Sequence, residues 1–377
     1  MMVKPPIQPV IASVGSSAIA RKSDGTILDF IGDAVADALK NAGLRIEDVN
    51  GLVISSSAPN LSALHDDGVD EISLMNAVKT LGLSRLKLSL DTQVMSGSMM
   101  AAALNAVATG ICDTVLVFRG MYHDTSRRYS GVDAAEAGGA LQFTLPYGLG
   151  PGGGRFALWL RRYMHLHGVS RADLYPIVRA ARNHAALNEL AYWRGAQVSL
   201  DEYLSGRWIA EPLSIYDCDI PVCGAGAMIV MREEVARALG RPFCYVNGWA
   251  NQDNFQELLA ASGLAHGDLD VAQIYDGFSC FVLYWLEKFG FSGAGEAARF
   301  FQDGRAELGG LLPINTFGGS LGEGRLHGMG HLREAALQAM GCAGARQVSR
   351  TGHGMVVVGV PENAWAFLLG RERLRVD

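Results

Sequence analysis

The sequence predicts an α/β fold made of two halves built on one plan, with a helical insertion interrupting the first. Three observations carry this prediction. Apolar strand-like runs alternate with amphipathic helical patterns from Val10 to Phe118, and the alternation returns from Ala225 to Leu369. Between them, residues 120 to 215 hold charged, Tyr-rich helical patterns and few alternating strands. At 377 residues, with 49% hydrophobic and 19% charged residues, the chain exceeds one ordinary core and can bury a large interior. The expected division is residues 1–240, with the cap insertion at about 120–215, and residues 241–377.

The elements follow in order. Val10 to Val14 reads as a strand, and Ile27 to Ala42 as an amphipathic helix closed by Gly43. Gly51 to Ser55 is the next strand, and Leu86 to Leu90 reads as a buried one. The helix from Ser96 to Thr109 stops at Gly110 and is apolar all round, so it belongs in the interior; Thr114 to Phe118 follows as a strand. Past the insertion come a strand at Ala225 to Met231 and a helix at Glu233 to Leu239. The second half opens with Phe243 to Asn247 and Val271 to Ile274, then a helix at Phe278 to Phe289. A strand at Leu312 to Thr316 and a helix at Gly330 to Met340 come next. Strands at Gly354 to Val360 and Ala364 to Leu369 flank a Pro-Glu-Asn turn.

Composition excludes several functions. The net charge of -6 leaves no basic stripe for nucleic acid. Six dispersed cysteines do not make a disulfide framework and suit a reduced cytosol. Neither a signal-peptide core nor an apolar run of about 18 residues is read, so a cytoplasmic protein without a membrane span is expected. His165-Leu166-His167 and the Cys218/Cys223 pair lack a matching second pair, so no metal site is expected. Gly148 to Gly154 lacks a Gly-Lys-Ser/Thr sequence and reads as a cap turn near a ligand channel. Met75, Met95, Met99 and Met100 read as core filling.

Four short motifs stand in sequence. They are Val94-Met95-Ser96-Gly97 at the start of the buried helix, Tyr275-Asp276-Gly277-Phe278, Gly318-Gly319 preceding Arg325-Leu326-His327-Gly328, and Arg350-Thr351-Gly352-His353-Gly354. With Arg182-Asn183-His184-Ala185 and Asn188 in the cap, the chain resembles the thiolase superfamily, specifically the sterol-carrier-protein-like thiolases and their cysteine-free relatives.

The resemblance implies a thiolase fold, with duplicated β-α-β-α-β-type halves forming a five-layered core, and a homodimer. It places Val94 at the position of the nucleophilic cysteine and Arg350 at that of the second cysteine. Valine accepts no acyl group, and a guanidinium shuttles no proton. The groups kept are Tyr275, His327 and His353.

These groups suit cysteine-free chemistry. In a retro-aldol cleavage, a base takes the proton of a β-hydroxyl and the Cα–Cβ bond breaks, leaving the enolate of a coenzyme A thioester. His327 is read as either base or oxyanion donor, and Tyr275 as acting on the hydroxyl or on the enolate carbon. Some cysteine-free members cleave steroid side chains in this way with a small zinc-ribbon/OB-fold partner, and there a second tyrosine is expected where Arg325 stands. Coenzyme A then enters as part of the substrate, with no bound cofactor. Two other readings stand beside this one: a non-catalytic acyl-CoA or lipid-binding subunit, and an acyltransferase using Ser96 or Cys280.

Overall fold

The computed structural model describes residues 7–56, 66–92, 95–123, 139–149 and 153–374. The first half runs β1 (Pro9–Ser16), α1 (Ile27–Ala42), β2 (Gly51–Ile54), α2 (Leu74–Thr80), β3 (Leu88–Asp91), α3 (Ser96–Ala108) and β4 (Thr114–Met121). The cap holds α4 (Gly153–His167), α5 (Arg171–Ala185), α6 (Leu200–Ser205) and the small pair β5 (Trp208–Ala210) and β6 (Leu213–Ser214). β7 (Gly224–Arg232) and α7 (Glu233–Ala238) return the chain to the first sheet region. Then come β8 (Cys244–Asn251), α8 (Phe255–Ser262), β9 (Val271–Ile274), α9 (Ser279–Lys288) and α10 (Ala297–Gln302). α11 (Gly319–Gly322), α12 (Met329–Met340), β10 (His353–Val360) and β11 (Asn363–Gly370) complete the second half.

The strands pair in the order β3-β2-β4-β7-β1-β8-β11-β10-β9. Read outward from the β1/β8 seam, where Val10 meets Tyr245 and Ile11 meets Cys244, the two sides repeat one pattern. β1-β7-β4 is antiparallel and β4-β2-β3 parallel; β8-β11-β10 is antiparallel and β10-β9 parallel. The expected strand at Leu312 to Thr316, the counterpart of β3, survives only as a bridge between Ile314 and Ala272. Asn315, at φ 53, turns the backbone out of the strand region. Its side chain bonds the N–H and carbonyl of Ile274, taking the place of ladder bonds.

Three buried clusters separate the layers. Ile27, Ile31 and Val35 of α1 cover one face of the first half. Met99, Met100 and Leu104 of α3 pack with Leu332, Ala335 and Ala336 of α12 among strands of both halves. Phe281, Trp285 and Leu286 of α9 join cap residues such as Leu160 and Leu174 over the second half. The result is helix, sheet, paired helices, sheet, helix. The thiolase fold expected from the sequence is the fold observed.

Two local expectations are corrected. β3 is an edge strand whose residues are partly or fully exposed, because its alternation meets only β2. Met75 is 80% exposed on α2 and fills no core, unlike Met99 and Met100.

Candidate active site

The N-termini of α3 and α12, the two central helices, meet at one loop. Ser96, the first residue of α3, donates its backbone N–H to the carbonyl of His327 at 3.4 Å. His327 lies two residues before α12, at φ 47, followed by Gly328 at φ 97. At Gly328 a side chain would run into Val358 near the end of β10, so the turn closes only with glycine there. The positive ends of both helix dipoles therefore lie at one place, which favours developing negative charge. Val94 lies outside the described residues, and the described chain resumes at Met95.

Arg119, absent from the sequence-based set, fixes the state of His327. It stands on β4, buried, and reaches the Nδ1 of His327 with its Nη2 at 2.6 Å while Nη1 donates to the Ser55 hydroxyl. A guanidinium only donates, so Nδ1 must accept and the ring proton sits on Nε2. Burial, then the charges of Arg119 and Arg325, hold the imidazole well below its ordinary pKa. Arg119 itself, lowered by burial to about 10, stays charged near neutrality. His327 is thus a neutral N–H donor.

Tyr275 belongs to the same cluster. It is buried directly after β9, donates its backbone N–H to Val357 at 3.0 Å, and its phenolate charge would act favourably on Arg119. Its ring lies 5.5 Å from that of His331, which shares a buried 2.9 Å contact with the Asp276 carboxylate. Asp276 also accepts the backbone N–H of Ser320 at 2.6 Å. A side chain at Gly319 would collide with that carboxylate, so the Gly318-Gly319 loop is shaped around Asp276. In the cap, Asn188 donates to the Phe317 carbonyl and to Glu323, tying cap and loop together.

His353 and Arg350 are not brought to this cluster. β9 and β10 are parallel, with Gly354 opposite Val271 and Val357 opposite Ile274. His353 opens β10 at the end away from Tyr275, about 16 Å along the strand at 3.3 Å per residue. There its N–H bonds Asp270, and Arg350, largely exposed, pairs with the same carboxylate at 2.9 Å. The fourth motif was thus placed at the wrong end of the strand. The end that reaches the site carries Val358, against Gly328 and, through its carbonyl, against Gly97.

The alternative nucleophiles lack activation. The Ser96 hydroxyl is buried without a hydrogen-bond partner among the described residues, so no base among them adjoins it. Cys280 is buried and its thiol is pushed far up by desolvation, as are those of Cys218 and Cys244. Such sulfurs stay protonated and unreactive.

Beside the cluster, a cavity of about 660 Å³ opens under the cap. Phe278, three residues after Tyr275, lines it, as do Ile220 and Pro221, which contact Arg325 through the backbone.

Two facing central helices in a duplicated α/β fold, with a histidine loop between them, define a protein of the thiolase type. A family model described as thiolase C-terminal domain-like matches residues 250–363. The chain is 31% identical over 394 residues to the 17-hydroxy-3-oxo-4-pregnene-20-carboxyl-CoA lyase of Mycobacterium tuberculosis, covering 96% of this chain and 99% of that one. It is 31% identical over 395 residues to a steroid side-chain-cleaving aldolase of Thermomonospora curvata, covering 96% and 98%. Among solved structures, an Ltp2-ChsH2(DUF35) aldolase superposes with a TM-score of 0.84 at 30% identity, covering 97% of this chain and 98% of that one. The chain belongs to the thiolase superfamily, in the branch that holds these proteins.

Proposed function

We propose that this chain is a carbon–carbon lyase that cleaves a 3-hydroxyacyl-CoA by retro-aldol chemistry, on a bulky, hydrophobic acyl group of the steroid side-chain kind. The observation that carries the reading is the Arg119–His327 pair. It leaves His327 a neutral Nε2–H donor, suited to an enolate oxygen and unsuited to removing a proton.

The steps divide among few groups. Tyr275, with Arg119 favouring its ionised form, takes the proton of the β-hydroxyl. The oxygen's electrons form the new carbonyl as the Cα–Cβ bond breaks. Its pair passes through Cα to the thioester oxygen, met by the His327 Nε2–H and the helix N-termini of α3 and α12. The proton on Tyr275 returns to Cα, releasing a ketone or aldehyde and a shortened acyl-CoA. No acyl-enzyme forms, and coenzyme A enters as part of the substrate and leaves as part of the shortened acyl-CoA.

The likeness to an Ltp2-ChsH2(DUF35) aldolase supports a small zinc-ribbon/OB-fold partner, and the family plan supports a homodimer. Among the described residues no helix is long and apolar enough to cross a membrane, which fits a cytoplasmic enzyme.

The test incubates the chain, with and without the partner, with 3-hydroxyacyl-CoA thioesters. A ketone or aldehyde appearing together with a shortened acyl-CoA is expected. Absence of both products under every condition would sink the proposal. Tyr275→Phe should lower turnover by about 10²- to 10⁴-fold with binding kept. Unchanged pathway flux in that variant would favour the binding-subunit reading.

A further inference from the structure

One buried cation in the cap has no counter-charge among the described residues. Arg182, on α5, is 4% exposed and lines the cavity beside Phe278. Its Nε and Nη1 are buried without a hydrogen-bond partner, and no carboxylate among the described residues pairs with it. What it does have is the ring of Trp193, 4.1 Å from the guanidinium carbon. Burial lowers its pKa to about 10, so it remains charged near neutrality.

An uncompensated charge this deep destabilises an empty site. Three other inward-facing arginines are answered by carboxylates: Arg333 by Glu323, Arg346 by Glu334 and Arg171 by Asp217. Arg182 differs in that no carboxylate among the described residues answers it, although it lines the cavity. Arg21, also on that wall, has a buried Nη1 without a partner, whereas Asp219 carries an interaction of its own. Ile209, Ile215, Pro221 and Phe278 make much of the remaining wall apolar.

We propose that this cavity receives the acyl portion of the substrate and that Arg182 recognises a carboxylate carried on that otherwise apolar group, remote from the thioester. The proposal rests on the acyl-CoA reading of the site and adds the substrate class: a half-thioester of a hydrophobic dicarboxylic acid. The cavity's size suits one drug-sized body rather than a nucleotide together with an acyl chain. Its depth argues in the same direction. Of the three arginines on that wall, Arg21, Arg182 and Arg207, Arg182 is the buried one, and one buried guanidinium matches one carboxylate, whereas the several charges of a coenzyme A nucleotide are better met at a solvated rim.

Calorimetric titration of the full chain with dodecanedioyl-CoA, dodecanoyl-CoA and free coenzyme A tests this. The wild-type protein should bind the diacid thioester about tenfold or more tighter than the monoacid, the scale of a buried charge-assisted hydrogen bond. Arg182→Met should erase that preference and leave coenzyme A binding unchanged; Arg182→Lys should retain part of it. Equal wild-type affinity for the two thioesters overturns the carboxylate role, a result that needs no folded variant and leaves the lyase reading standing. A loss in Arg182→Met shared equally by both thioesters and coenzyme A also overturns it, assigning Arg182 to phosphate. Failure of every thioester to bind would sink the acyl-CoA reading along with it.

Discussion

His327 shows how one neighbour decides what a titratable group can do. With Nδ1 occupied by Arg119, its chemistry is confined to Nε2–H donation. Because its folded pKa lies below its unfolded value of about 6.5, the unfolded chain binds the extra proton first as pH falls. The stability tied to this neutral ring is therefore complete above about pH 6.5 and lost progressively below it. The acid limb of the rate profile should likewise fall well under that value. Arg119→Met should move the limb upward toward it and reduce kcat by about 10²-fold, the scale of a misaligned oxyanion donor. A limb that stays where the wild type has it would show that Arg119 does not set the state of the ring. Tyr275 and His327 were legible in the sequence because the Tyr-Asp-Gly-Phe and His-Gly motifs that carry them resemble thiolase signatures. Arg119 was not: it simply continues an apolar strand, and its partner lies 208 positions away.

At the scale of elements, the sequence revealed periodicity better than placement. The helix at Ile27–Ala42, with its Thr26 cap and Gly43 stop, and the strand at Val271–Ile274 have the expected bounds, since caps and apolar spacing are local signals. Sheet position is not local. β3 looks buried by composition yet lies at an edge, and a single left-handed residue, Asn315, dissolves its counterpart. The same limit explains the misplaced fourth motif, since glycine and histidine at the start of β10 look like a site until the register with β9 is known. Asp276 organises a whole loop, so Asp276→Ala should cost about 3 kcal/mol or more by stranding His331 and the Ser320 N–H, measured as a lowered urea midpoint. Tyr275 packs on His331, and turnover should fall with it.

For the molecule as a whole, duplication puts the reactive centre at the contact between halves. α3 and α12 share one core fed by strands from both sides, so neither half has a complete interior of its own. The chain should unfold as one unit. Leu332→Ala, in that shared core, should remove about 2–5 kcal/mol and shift far-ultraviolet circular dichroism and tryptophan fluorescence transitions together. Separate midpoints for the two signals would mean that the halves are energetically independent. The duplicated plan and the cap were readable from the alternation of patterns along the chain. The cavity and its uncompensated arginine were not, since they depend on which cap surfaces face inward.

The left-handed backbone at His327 restricts what can replace it. A residue there must tolerate a positive φ, so asparagine, aspartate and glycine can enter without rebuilding the turn, while branched or bulky side chains cannot. Substitution at this position therefore mixes two losses, of the donor and of the turn that seats both central helices. His327→Asn separates them. By the same constraint, drift at this position is channelled toward a few small polar residues, leaving the scaffold folded long after the imidazole has gone.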